Sequence, residues 1–429
     1  MAKIQAVQAR EILDARGIPT IETTLWLDSG YSVTTSAPSG TSIGKYEALE
    51  LRDRDQNWML GKGVRQAVKN VNEIIGPSII GQEPGQQKEI DDIIVGLDGT
   101  PNLSKLGANA ILSVSQAVLK AGALDQGLPL YQYIQQKYGL TQSLTIPASI
   151  YGIINGGEHG ADNLDIQEFQ IIPASHIDFP NSLNLASTLQ SKLEDVLVAR
   201  GATHSIGLLG GFTPNLYNNT DVFEILVETI KTTPYIFAQD VFFGIDASAK
   251  SFYENGSYKL RDNAQPYSTG ELVDYYKNIR EAYKVIYIED PFEEDDLNGW
   301  KAITNELGNT TSIVGDSFLV TNKEKMNQAI AEKSCNSVLV KPNQVGTISE
   351  SIEVCKIAKE AGWQVVVSHR SGETNDDLIA DFAVGVGADY TKFGPTNRGE
   401  RIVKYNRLLK IHQELLEMSQ QQVPAESNI

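Results

Sequence analysis

Six positions in the second half of the chain carry groups that can do chemistry. Asp246, Glu289, Asp316, Lys341, the pair His369-Arg370, and Lys392 each close a short apolar, β-branched run. They are separated by 43, 27, 25, 28 and 23 residues. Three carboxylates on three successive runs make a hard oxygen site, suited to Mg²⁺ rather than zinc, and no His/Cys cluster competes with it. Two lysines, Lys341 and Lys392, follow. A lysine facing other cations and a metal can have its pKa lowered into the range of a working base. The matching chemistry is proton abstraction beside a carboxylate whose growing charge a metal holds. Arg370 and Ser371 are suitable phosphate donors. A single Asp or Lys would be read as a loop charge; six in succession at the same place in a repeat are not.

The repeat supplies the positioning. Runs at Val241–Ile245, Val285–Ile288, Thr311–Gly315, Val338–Val340, Trp363–Ser368 and Tyr390–Thr391 alternate with amphipathic stretches. Those stretches are Thr269–Tyr283, Leu297–Leu307, Asn322–Lys333, Thr347–Gly362, Asn375–Gly385 and Arg398–Met418. Repeated βα units predict a parallel sheet buried on both faces. Two less regular runs, Ile150–Ile154 and Ile166–Ile172, bring the strand number to eight and point to a closed barrel. There every strand's C-terminal end lies on one rim. An open doubly wound sheet is the rival; no G-x-G-x-x-G opens a helix to support it. Before about residue 140 the pattern is mixed α+β: strands Ala6–Ala9 and Thr20–Leu27, a loop at Ala37–Gly44, and helices Gly63–Ile75, Gln86–Leu97 and Leu106–Gln126, with a break at Leu128-Pro129-Leu130. The expected division is 1–140 and 141–429.

Composition narrows the class. The chain has 429 residues, 54 Asp+Glu against 36 Lys+Arg, and a formal charge of −18. That balance argues against a nucleic-acid surface, and makes an anionic substrate depend on local cations. No run approaches the roughly 18 apolar residues of a membrane helix. The first residues are not patterned as a signal peptide. Two cysteines, Cys335 and Cys355, make no disulfide framework, which fits a reducing cytoplasm.

Eight segments together resemble the enolase family over essentially the whole length. They are APSGTSIGKYEALELRD (37–53), LGANAILSVS (106–115), INGGEHGADNLDIQEF (154–169), IDASAKSFY (245–253), YIEDPFEEDD (287–296), VGDS (314–317), VKPNQVGT (340–347) and SHRSGET (368–374). The resemblance implies an α/β fold, with an N-terminal α+β capping domain on a modified (βα)8 TIM-type barrel, in a homodimer or higher homo-oligomer. It implies two Mg²⁺ per site: one on Asp246, Glu289 and Asp316, and a second held partly by Ser39 on a closing lid. By the same resemblance Lys341 is the base and Lys392 binds the substrate carboxylate. Arg370 and Ser371, beside His369, bind the phosphate, with His159 nearby. Glu168 and Gln167 line the site.

One departure drives the functional expectation. Enolases carry an Asp-Glu pair in a G-D-E-G-G segment, and its Glu helps expel the β-hydroxyl. Here the segment is Gly207-Leu208-Leu209-Gly210-Gly211. Losing a general acid costs on the order of 10²–10⁴ in rate. Ser317, Ser251 beside Lys250, and Pro342 are further differences. The expectation is therefore a diverged Mg²⁺ enzyme on a 2-phosphoglycerate/phosphoenolpyruvate-like anion, running an enolpyruvyl transfer to a nucleotide-linked or phosphonate partner, similar to carboxyphosphonoenolpyruvate synthase. The alternatives are an enolase with the acid replaced by Glu168 or an ordered water, and a non-catalytic binding protein. His204 is weighed as a replacement acid against an ordinary exposed histidine. Lys250 is weighed as an anion site against a solvated lysine, and Glu293–Asp296 reads as a solvated acidic turn.

Overall fold

The computed structural model describes residues 1–40, 46–160 and 164–422. Thr41–Gly44 of the expected loop and residues 423–429 of the tail lie outside the described residues, as does Ala161–Asn163 of the motif at 154–169. The chain opens with an antiparallel sheet of three strands, Ile4–Leu13, Pro19–Leu27 and Ser32–Ser36, paired in sequence order. Alternate residues of the second strand, among them Ile21, Thr23, Leu25 and Leu27, point into the core. They meet the helix Ala108–Asp125, whose alanines permit close approach; Ser113 and Thr23 hydroxyls hydrogen-bond at 2.7 Å across the contact. The third strand is short and polar (SVTTS) and gives no apolar signal.

Two helical expectations change in detail. The stretch from Gly63 forms an interrupted helix from Arg65 to Ile79, with a π turn at Val71–Ile75. Pro77 sits at the start of the last segment, where its missing N–H costs least. Leu128-Pro129-Leu130 is not only a break: Pro129 precedes a helix, Leu130–Tyr138, which Gly139 ends in the left-handed conformation.

Eight strands then close a barrel: Ala148–Asn155, Glu168–Pro173, Val241–Asp246, Val285–Glu289, Ser312–Gly315, Ser337–Val340, Gln364–Ser368 and Tyr390–Lys392. Its interior holds Ile150, Ile172, Tyr287, Val314, Leu339 and Val366, each at most 1% exposed. The other faces of the strands join the larger core beneath the helices. The expected all-parallel sheet is corrected at one strand. Glu168–Pro173 runs antiparallel to both neighbours, because a hairpin rather than a helix joins it to Ala148–Asn155. The remaining six junctions are parallel. Two helices without a sequence expectation, Phe179–Ala199 and Asn219–Lys231, fill the span before the third strand; Asp178 and Asn218 cap their N-termini.

Candidate active site

Strand geometry gathers the expected residues at one rim. Asp246, Glu289 and Lys392 are the last residues of their strands; Asp316 and Lys341 are the first residues beyond theirs. Pairing sets Glu168 opposite Asp246, Asp246 opposite Glu289, and Ser368 opposite Lys392. Glu168 reaches this rim because its strand is reversed: the first residue of an antiparallel strand lies beside the last residue of its neighbour.

A cavity of about 550 Å³ opens there. Lys341, Lys392, Asp246, Asp316, Glu168, Gln167, His159, His369, Arg370 and Ser371 line it. Glu289 does not: it is fully buried under Lys392. Ser39 does not line it either. Its hydroxyl donates to Asp14 at 2.8 Å and accepts from Arg16 at 2.6 Å, while its backbone pairs with Gly372.

The charges interlock. Lys392 Nζ lies 2.7 Å from Glu289 Oε2, 2.9 Å from Asp246 Oδ2 and 3.3 Å from Glu168 Oε2. Burial alone would lower this ammonium, but Asp246, Glu168 and Glu289 outweigh it and hold Lys392 well above its ordinary range. Its neighbours here are carboxylates rather than cations. Burial, reinforced by the Asp246 charge, pushes the Glu289 carboxyl well up despite Lys392. Lys341 Nζ donates to Asp316 Oδ2 at 2.5 Å, and Gln344 donates to the other oxygen at 3.1 Å. Burial alone would raise Asp316, yet the Lys341 charge and hydrogen bond leave it below the ordinary value. Burial also holds the His159 imidazole below its ordinary value, and its Nδ1 has no hydrogen-bond partner among the described residues.

Asp246 Oδ1 and Glu289 Oε1 are buried and without a hydrogen-bond partner among the described residues. Buried carboxylate oxygens of this kind require a donor or a cation. Among the described residues no three His, Cys, Asp or Glu side chains stand ready-made around one point; the lysine ammoniums occupy the space between the acids. The donor set, hard oxygens with two of them unpartnered, fits a divalent oxygen-seeking cation.

Several residues of the site were not legible in sequence. Glu47 pairs with Arg370 at 3.1 Å. Asp290, with φ of 43°, accepts the N–H groups of Asp316 and Ser317, at 2.9 and 2.8 Å, and so fixes the turn after the fifth barrel strand. Burial, with Asp316 and Asp246 nearby, pushes its carboxyl up to about 7. The acidic turn is not simply solvated: Glu294 is 6% exposed, lines the cavity and accepts from Lys250 at 2.8 Å, while Asp296 caps the helix Leu297–Leu307. His204 is exposed and outside the cavity lining.

Leu209 lines the cavity at 5% exposure; Leu208, half-buried, does not. Backbone contacts hold this turn whatever residues 208 and 209 carry. Gly207 N–H donates to the Gly211 carbonyl at 2.7 Å, and Gly211 N–H to Asn155 at 2.9 Å. Asn397 reaches the Gly210 carbonyl at 2.8 Å.

The architecture and the rim define an α+β capping domain on a barrel with an acid–lysine site. Residues 4–134 match the family model for the enolase N-terminal domain, and 143–425 match that for the enolase C-terminal TIM barrel domain. The chain belongs to the enolase family of lyases. It is 44% identical over 415 residues to a protein named Enolase 1 from Methylococcus capsulatus, a match spanning 96% of this chain and 98% of that protein. This near-complete relationship overturns the expectation of a diverged, synthase-like transferase and favours the alternative, an enolase. No helix among the described residues is long and apolar enough to cross a membrane.

Proposed function

We propose that the chain is a Mg²⁺-dependent enolase, interconverting 2-phosphoglycerate and phosphoenolpyruvate. The observation that carries this reading is the rim itself: Lys341 and Lys392 face buried acids, with Arg370 alongside, in a chain similar to Enolase 1 from end to end. Asp246, Glu289 and Asp316 would hold one Mg²⁺. Ser39 would serve a second only by exchanging its Asp14 partner. Bound magnesium supplies positive charge against the substrate carboxylate.

The chain's own residues do the rest. Lys341, in its neutral form, takes the proton from the carbon beside the carboxylate. Lys392 binds that carboxylate, and Arg370 and Ser371 bind the phosphate. Glu168, 4% exposed and on the cavity wall, offers a proton toward the leaving hydroxyl in place of an acid at Leu209. His159 and Gln167 close the same wall. The chain acts as a homo-oligomer in the cytoplasm, on a small anion, without nucleic acid or membrane.

The test is direct. Purified protein with Mg²⁺ and 2-phosphoglycerate is followed by the ultraviolet absorbance of the enol phosphate. Metal-dependent formation of phosphoenolpyruvate, abolished by Lys341→Ala, is the expected result. Absence of turnover with Mg²⁺ present rejects the reading.

A further inference from the structure

The helix Gly399–Gln422 begins behind the phosphate side of the rim and sends two cations inward. Arg401 is 0% exposed. Its NH1 donates to the Arg370 carbonyl at 2.7 Å and lies 2.7 Å from His369 Nδ1; its NH2 donates to the Ser371 carbonyl at 3.0 Å. Its Nε faces the Glu400 carboxylate at 3.6 Å. About one turn on, Lys404 bonds the carbonyls of Thr374, Asp376 and Glu400 and pairs with Glu373 at 2.9 Å. The other Glu373 oxygen accepts the Arg370 N–H at 2.9 Å.

A guanidinium only donates. His369 Nδ1 must therefore present its lone pair, and the proton of the neutral ring stands on Nε2. An imidazolium would set one N–H against another at 2.7 Å. His369 is 5% exposed and lines the cavity, and its Nε2 makes no hydrogen bond to the described residues.

We propose that Arg401 is a positioning residue that fixes His369 as the neutral Nε2–H tautomer, so that this side chain meets the substrate as a permanent hydrogen-bond donor and takes no part in proton transfer. The tautomer follows from the Arg401 contact alone; only the identity of the anion it meets rests on the proposed enolase reading. Burial, reinforced by the charges of Arg401, Lys392, Lys404 and Lys341, also holds the ring well below its ordinary range. The nearby acids are already engaged: Glu373 by Lys404 and the Arg370 N–H, and Glu400 by Arg398 at 2.9 Å.

The full chain, labelled with ¹⁵N-histidine, carries five histidines, and His369→Asn assigns the signal. Long-range ¹H–¹⁵N correlation at neutral pH is expected to show Nε2 protonated and Nδ1 bare. A bare Nε2 or a doubly protonated ring overturns the proposal. Arg401→Met is expected to mix the tautomers and lower kcat on the order of 10–100-fold, as loss of a group orienting a site residue does; Arg401→Lys retains part of both. A folded Arg401→Met protein with unchanged tautomer and kcat also overturns it. If that variant does not fold, the wild-type spectrum and Arg401→Lys decide. If the wild type turns over no 2-phosphoglycerate, the enolase reading fails while the spectrum still judges the tautomer.

Discussion

Glu47 and Arg370 meet at 3.1 Å, joining the capping domain to the barrel with both side chains less than a tenth exposed. The guanidinium proposed to take the phosphate therefore already has a carboxylate. Substrate must compete with Glu47 or share Arg370 with it. Glu47→Gln keeps the shape and removes the charge. Inorganic phosphate is expected to bind roughly three- to tenfold more tightly by calorimetry, a gain of up to ~1.4 kcal/mol. Weaker binding would mean that Glu47 serves to aim Arg370.

Magnesium should stabilise the fold. Asp246 Oδ1 and Glu289 Oε1 lack partners among the described residues, so an ion that satisfies them binds the native state only. At a hundred times its dissociation constant the gain is about 2.7 kcal/mol. Differential scanning calorimetry is expected to show Tm rising with Mg²⁺ and falling with chelator, and Glu289→Gln should remove the effect. A wild-type Tm indifferent to Mg²⁺ would dismiss the acids as a metal site.

Leu209 gives a gain-of-function test. Its side chain faces the cavity on a turn whose backbone the Asn155 and Asn397 side chains hold. Leu208→Asp with Leu209→Glu should raise kcat for dehydration, by at least about tenfold if the missing acid limits the rate, since general acids are worth ~10²–10⁴. An unchanged or lower kcat in a folded variant would show that Glu168, or another group, already meets the need.

The domain seam should weaken in acid. Lys120, on the capping-domain helix Ala108–Asp125, bonds both oxygens of Asp376 at 3.0 and 2.9 Å, and the Ser36 N–H adds a third bond at 3.0 Å. Burial would raise Asp376, but the Lys120 charge, the Leu378 N–H at 2.8 Å and the Lys120 hydrogen bonds leave it below its ordinary 3.8. A carboxyl lowered on folding stabilises above its unfolded value, and that support fades as pH falls through the lower, folded one. Asp376→Asn should cost ~1–3 kcal/mol near neutrality. By urea-melt midpoints the gap between wild type and variant should stay constant above about pH 5 and close below pH ~4. A gap independent of pH would assign the effect to packing.

The barrel rim was legible because the βα repeat fixes where a strand ends, and each end carries a charge. Asp246, Glu289, Asp316, Lys341 and Lys392 could be read that way. Glu168 could not be read from the pattern: it begins its strand, and alternation of side chains is the same in either direction. Only the family resemblance brought it to the site. Ser39 lies in a small polar stretch that reads as open loop, yet Asp14 and Arg16, distant in sequence, bury it. Asp290, Glu47 and Arg401 act through backbone groups and cross-domain pairs, which leave no periodic trace. Leu209 shows the opposite failure. Beside the family motif it reads as a missing acid, yet one position weighs less than a match over 415 residues.

The barrel is sealed by its first strand meeting its last: Tyr390 opposite Ala148, Lys392 opposite Ile150. A chain emerging from the ribosome therefore carries Glu168, Asp246 and Glu289 long before their common lysine is synthesised. Until then the three anions cannot be dehydrated together, and the half-made cylinder stays open at that edge. Closure of the cylinder and neutralisation of its acids thus depend on one strand, and a product terminated before Lys392 would lack both.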